Sequence, residues 1–291
     1  MSAGSGAGLG VGLGFKPQHF DEAMEDSRPG VWFEVHPENY QVCGGPRWQM
    51  LHALRERHAL SLHSVSLSLA SPEAVDEGRL ALLCDMHRRL QPALVSEHLA
   101  WSWWRGVYAP DLLPVRRSHA LLAHLVRQVD RVQSALGCAI AIENPSHYVG
   151  LTHDVGEVDF LNELCRRSGC MLLVDVNNVA VSAHNLGLDA QAWLEDIDAD
   201  QVAEVHLAGH EPDEQWGEAL WIDSHSQAVA DEVWLLYAHL IARLGPKPTL
   251  LERDSNIPAY EVLQAEADRA RGILAARMAC RPQSMATALL E

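Results

Sequence analysis

The sequence predicts an α/β chain folded as a single TIM-like (β/α)8 barrel, and three observations point there. Eight apolar, strand-like runs alternate with amphipathic helical stretches, which is the pattern of a parallel sheet. A length of 291 residues suits one such barrel better than two small domains. Seven of the eight runs end on a carboxylate, a histidine or both. A barrel gathers all its strand ends at one mouth, where such folds keep their chemistry. A doubly wound open sheet is the alternative that the alternation leaves standing.

The strands are read at 8–14, 31–36, 60–68, 93–100, 139–143, 171–176, 202–208 and 248–253. Helices are read near 18–26, 46–57, 73–90, 117–136, 157–168, 189–197, 226–244 and 258–279. The helix at 117–136 shows the clearest period, with Leu121, Leu122, Leu125, Val129 and Val132 at three- and four-residue steps. No repeat or linker divides the chain. Residues 1–9 read as a flexible start, 10–280 as the barrel domain, and 281–291 as a weakly patterned tail. The glycines from Gly4 to Gly14 do not satisfy G-x-G-x-x-G, so they give no dinucleotide-binding turn.

Composition narrows the function. A formal net charge of -17, from 39 acids against 22 bases, argues against a nucleic-acid partner, since phosphate contacts need clustered Lys and Arg. No apolar run reaches the roughly 20 residues that span a bilayer, and the start lacks a signal peptide's basic flank, so the expected compartment is the cytoplasm. The two lysines, Lys16 and Lys247, leave Lys16 as the one candidate for Schiff-base chemistry. Six cysteines without a C-x-x-C pair read as reduced thiols, with Cys84, Cys138 and Cys165 in the core and Cys43 in an exposed turn.

The strand ends carry the chemistry. They offer Glu34-Val35-His36; His63; Glu97-His98; Glu143-Asn144; Asp175-Val176-Asn177-Asn178; His206; and Glu252. Neighbours on a strand face opposite ways, so His98 is taken as a metal ligand and Glu97 as its support. For each acid the plain alternative is a salt bridge, such as Arg253 beside Glu252, but that account weakens when four or more strands repeat the feature at the same end. Asp223-Ser224-His225 adds two side chains on one face of an extended segment, with a helix N-cap as the alternative for Asp223. Donors that are all N and O, more numerous than one zinc ion uses, suit two or three non-haem iron or manganese ions.

These segments resemble a known family. HSVSLSL at 63–69, SEHLAW at 96–101, IENPSHY at 142–148, GCMLLVDVNNVAVSA at 169–183, VAEVHLAGH at 202–210, WIDSHS at 221–226 and LLERDSNIP at 250–258 are similar to the multinuclear non-haem iron-dependent oxidative enzymes. EVHPENY at 34–40 and DLLP at 111–114 extend the likeness, which runs from about Gly10 to Glu266. That family includes the enzymes of methanobactin and 3-thiaglutamate biosynthesis.

The resemblance implies a TIM-like barrel holding two or three irons (Fe2+/Fe3+). It implies use of O2 to modify cysteines of a ribosomally made precursor peptide, by heterocycle formation or carbon excision. It places iron ligands at His63, His98, Glu143, Asp175, Asn178, His206, Asp223, His225 and Glu252. It also implies a small partner protein that holds the peptide's leader. Where the family carries Asn-His-Gly, this chain reads Asn185-Leu186-Gly187, and His184 is kept as a secondary ligand candidate. Asn144 joins Glu97 as a supporting residue; Glu38, Asn39 and Tyr40 are candidates for contact with the peptide, and Trp101, Trp103 and Trp104 for an aromatic docking wall. A divalent-metal barrel of the sugar isomerase or endonuclease type is the second reading, and a non-catalytic metal binder the third.

Overall fold

A computed structural model describes residues 8–40 and 44–279 of the chain. The chain lays down Val11–Gly14 (β1), Trp32–Val35 (β2), Ala59–Ser64 (β3) and Leu94–His98 (β4). An antiparallel hairpin of Trp101–Trp104 (β5) and Val107–Leu113 (β6) comes next. Ala141–Glu143 (β7), Met171–Asp175 (β8) and Val202–Leu207 (β9) follow, then a second hairpin of Glu211–Asp213 (β10) and Gly217–Ile222 (β11), and last Thr249–Leu251 (β12).

The eight non-hairpin strands close in the order β1-β12-β9-β8-β7-β4-β3-β2, every pair parallel. Closure is decided by β1, which pairs with β12 on one side and β2 on the other. That removes the open-sheet alternative. The strands are buried on both faces, which is why they read as continuous apolar runs.

Around the barrel lie Phe20–Glu25 (α1), Pro46–Arg57 (α2), Glu77–Leu90 (α3), His119–Leu136 (α4), Glu157–Ser168 (α5), Val176–Leu186 (α6), Ala190–Asp196 (α7), Asp231–Leu244 (α8) and Tyr260–Ala279 (α9). α4 has the local signals its period promised. The Ser118 side chain caps it by accepting from the Leu121 N–H, Gly137 closes it at φ 77°, and Leu122, Leu125, Val129 and Val132 are buried. α6 was not expected. It begins directly at the end of β8, with Asp175 as its N-cap accepting from the Asn178 N–H.

Cys165 is buried, whereas Cys84 and Cys138 are only half-buried, because both lie at the edge of the sheet–helix layer. There they border a cavity of about 850 Å³ at the N-terminal end of the barrel, whose lining carries no carboxylate among the described residues. Cys43, Cys280, the tail at 281–291 and residues 1–7 of the expected flexible start lie outside the described residues.

Candidate metal centre

Parallel register brings the strand ends level. His63 stands beside Ser96, His98 beside Glu143, and Asp175 beside His206. From these rungs three donor atoms converge. His63 Nε2 and His98 Nε2 are 3.3 Å apart, and Glu143 Oε2 lies 3.1 Å from the first and 3.2 Å from the second. Ligand atoms at about 2.0–2.2 Å from one ion stand roughly 3–3.5 Å from one another, so this triangle has the edges of a coordination polyhedron.

The outer ring nitrogens are anchored. His63 Nδ1 meets Ser96 Oγ at 2.8 Å, and His98 Nδ1 is 3.3 Å from the Ser64 carbonyl. An Nδ1–H donated to that carbonyl leaves the Nε2 lone pair of His98 facing inward, the usual orientation of a metal-binding imidazole.

The array continues through His206. Donor atoms of His63, Glu143 and His206 lie within 4.8 Å of one another, and those of Asp175, His225 and Glu252 form a second such group. His206 Nδ1 is 3.3 Å from Glu252 Oε2, which is 3.5 Å from His225 Nδ1. His225 Nε2 is 2.8 Å from Asp223 Oδ1. Asn178 Nδ2 donates to Glu143 Oε1 at 3.2 Å and to the Asn144 carbonyl at 3.0 Å. The nine residues expected to bind metal thus form one connected group. Asp223 caps no helix, since α8 starts at Asp231. The two side chains meet for a different reason from the one expected: the backbone turns at His225, at φ 49°, so strand alternation plays no part.

Four more residues belong here that were not expected as ligands, Glu34 and His36 among the strand-end residues and Glu204 and Asp254 beside them. Glu34 Oε2 and Glu204 Oε1 lie 3.6 and 3.5 Å from His206 Nε2, and these three form a further group. His36 and Asp254 form another with Glu252. The signal was available, because Glu34/His36, Glu204/His206 and Glu252/Asp254 are each two residues apart and so share a face of an extended segment. Lys16 Nζ binds Asp254 Oδ1 at 2.9 Å. Arg253 turns away from Glu252 and pairs with Glu266, so the simple salt-bridge account of the last barrel strand fails.

Electrostatics match the geometry. Glu34, Glu143, Asp175, Glu204 and Glu252 are each at most 6% exposed, and five buried carboxylates demand compensating positive charge. Glu34 Oε2, Glu143 Oε2, Asp175 Oδ2, Asn178 Oδ1, both Glu204 oxygens, both His206 nitrogens and His225 Nε2 are buried and make no aligned hydrogen bond, close as some of them lie to one another. Orphaned donors of this kind fit bound cations.

Burial would push the Glu143 carboxyl up, but the His98 and His63 imidazoles outweigh it and bring it down to about 2. Burial would lower His63, but the Glu34 and Glu143 carboxylates facing it carry it up to about 10. Burial, with Glu143 and Asp223 nearby, pushes Asp175 well above the usual carboxylate range. A divalent cation bound at this candidate centre would have to expel protons, so its affinity should rise about tenfold per pH unit for each proton released. A proton-release titration in weakly buffered solution, run between about pH 6 and pH 8, checks this; binding without proton release would contradict it.

Not every candidate reaches the cluster. His184 is exposed on the last turn of α6; its ring stacks on Trp221 at 3.8 Å and its Nε2 meets the Glu218 carbonyl at 2.8 Å. Its helix carries it outward, so it is not a ligand in this arrangement. Glu97 takes the Leu67 and His98 N–H groups, and Asn144 exchanges two hydrogen bonds with the Asp175 backbone, so both brace the strand ends. Glu38 accepts from Ser64 Oγ and the Val65 N–H. Asn39 is exposed, whereas Tyr40 packs in the core and would have to move to touch a peptide. Trp104 is exposed on the β5–β6 hairpin, while Trp103 lies under Arg79 and against Tyr108.

Comparison with known proteins sharpens the picture. Residues 10–275 match the family described as RiPP precursor modification enzyme MbnB/TglH/ChrH. The chain is 54% identical over 272 residues to a UPF0276 protein of Caulobacter sp. (strain K31), covering 93% of this chain and 98% of that one. Solved structures share the fold at low identity. D-allulose 3-epimerase from Methylomonas sp. superposes with a TM-score of 0.58 at 14% identity, covering 93% of this chain and 97% of that one. Endonuclease IV from Thermus thermophilus does so at 0.56 and 14%, covering 92% and 98%.

Proposed function

Because the chain belongs to the MbnB/TglH/ChrH family of RiPP precursor modification enzymes, whose substrates are ribosomally synthesised precursor peptides, we propose that it is a multinuclear non-haem iron enzyme that uses O2 to modify cysteines of such a peptide. The observation that carries this reading is the triangle of His63, His98 and Glu143, continued through His206 to Glu252, His225 and Asp175. Two imidazoles and one carboxylate on one face are the ligand set of iron oxygenases, which keep positions open. Asp223 and Asn178 complete the donors available to two or three ions.

Bound iron would supply electrons to O2 and an open position for a soft substrate thiolate. The chain's own residues prepare that site. Ser96 and the Ser64 carbonyl fix the imidazole rings, and Asn144 and Glu97 pin the strand ends. Glu34 and Glu204 close the floor beneath His206, leaving the mouth as the approach for the peptide. Asn39, Glu38 and the exposed Trp104 are the contacts proposed there. Among the described residues no helix is long and apolar enough to cross a membrane, and cytoplasmic residence is part of the same reading, as is a small partner that holds the peptide leader.

The test pairs the purified protein with a short Cys-containing peptide encoded beside it, and reads the peptide's mass. Iron-loaded protein should change that mass only with O2 present, and should bind the isolated peptide weakly without the partner. Turnover with zinc under nitrogen would overturn the oxidative reading in favour of isomerase- or hydrolase-type chemistry.

A further inference from the structure

A line of side chains runs outward from Asp223, and among the described residues its side-chain hydrogen bonds reach no other candidate ligand. Asn177, fully buried on the first turn of α6, donates through Nδ2 to Asp223 Oδ1 at 2.7 Å. Its Oδ1 faces His210 Nδ1 at 2.8 Å. The carboxylate needs a donor, which fixes the amide's orientation, and the amide oxygen then needs one, which places a hydrogen on His210 Nδ1. The His210 ring is held on its remaining sides. It stacks on Trp221 at 4.2 Å, and its Nε2 lies 3.3 Å from Glu232 Oε1 on α8. Trp221 is itself fastened to α6, with both its backbone N–H and its carbonyl taken by the Asn185 side chain.

The purpose of this lacing follows from where Asp223 sits. The β10–β11 hairpin pairs only with itself among the described strands, and Asp223 is the first residue past it. A carboxylate leaving such a hairpin would sample many orientations, and ordering it on metal binding would cost affinity. Asn177 and His210 remove that cost beforehand by clamping the oxygen that also faces His225.

We propose that Asn177 and His210 are positioning residues that orient Asp223 toward the metal centre while contacting no ion themselves. This rests on the metal-centre reading above and extends it outward by two residues. Losing such an outer contact typically lowers metal affinity 10–100-fold.

The experiment is an anaerobic Fe2+ titration of the full chain, with stoichiometry and affinity read by calorimetry and folding checked by circular dichroism. His210→Asn and His210→Gln form the decisive pair. The asparagine amide can stand where Nδ1 stood, whereas the glutamine amide reaches the Nε2 position. His210→Asn should stay within a few-fold of the parent, while His210→Gln and Asn177→Leu should weaken the last ion bound by about 10–100-fold. Equal affinities for His210→Asn and His210→Gln, or an unchanged Asn177→Leu, would overturn the proposal. Failure of the parent chain to take up iron would instead overturn the metal-centre reading itself.

Discussion

On the proposed iron-enzyme reading, Glu143→Gln should strip the centre of at least one ion and lower O2-dependent peptide modification by more than about 100-fold, beyond the range for losing an outer contact. Among the described residues Glu143 Oε2 is the one acidic atom within 3.2 Å of two imidazole nitrogens, so removing its charge breaks the triangle at its only anionic corner. The amide keeps the shape and can still accept from Asn178, which separates loss of ligand charge from loss of packing.

The metal-free protein offers an independent check, with the sign set by the two partners. Glu143 is depressed from 4.5 to about 2, so its contribution is present above pH 4.5 and lost as pH falls through about 2. His63 is raised from 6.5 to about 10, so its contribution is present below pH 6.5 and lost as pH rises through about 10. Denaturant midpoints of metal-free parent and variant should therefore differ most between pH 4.5 and 6.5, where both contributions are complete. A variant with full iron content and full turnover would end this account.

What the sequence could say about this site depended on backbone geometry. The eight barrel strands were legible because parallel strands covered on both faces must be apolar throughout. The two hairpins were not, because β10 and β11 mix Glu211, Asp213 and Glu218 with Trp221 and bury no continuous face. The Trp-rich run at 101–104 was read as an aromatic wall for the same reason: its strand pairs with β6 and not with the barrel. α6 was hidden because Asp175 ends β8 and caps the helix at once, and the β-branched Val176, Val179 and Val181 imitate a continuing strand.

The polar side chains followed the same logic. Residues at strand ends were found because strand ends converge, Glu34 and His36 among them, although neither was expected as a ligand; Glu204 lies one alternation deeper and was lost among its apolar neighbours. The two-residue rule was applied to Asp223 and His225, where a turn at His225 does the work, and not to the three strand pairs where it holds. Likewise His210 and Asn177 gave no local signal, since their importance comes from contacts more than 30 residues apart in sequence.

Gly209→Ala should be the most damaging single methyl group in the region that links fold to site. A Cβ at Gly209 would stand 2.3 Å from the Gln227 carbonyl oxygen and 2.5 Å from that of Ala228. Both are main-chain atoms that cannot rotate away, so the 225–228 segment would have to move as a unit. That segment is seated by the hydrogen bond from His225 N–H to the Gly209 carbonyl at 3.0 Å, and moving it moves the His225 ring. Overpacking of this kind costs about 3 kcal/mol, or a fall of roughly 5 °C in Tm for a chain of this size. Gly156→Ala, whose Cβ would meet nothing nearer than Asp159 Oδ2 at 3.5 Å, serves as the control. Thermal scans of metal-free protein read the packing, and iron titration of the folded variant reads the displaced imidazole. If Gly209→Ala matched the control in both, the loop would not be seated against the end of β9, and His225 would lose its place beside Glu252.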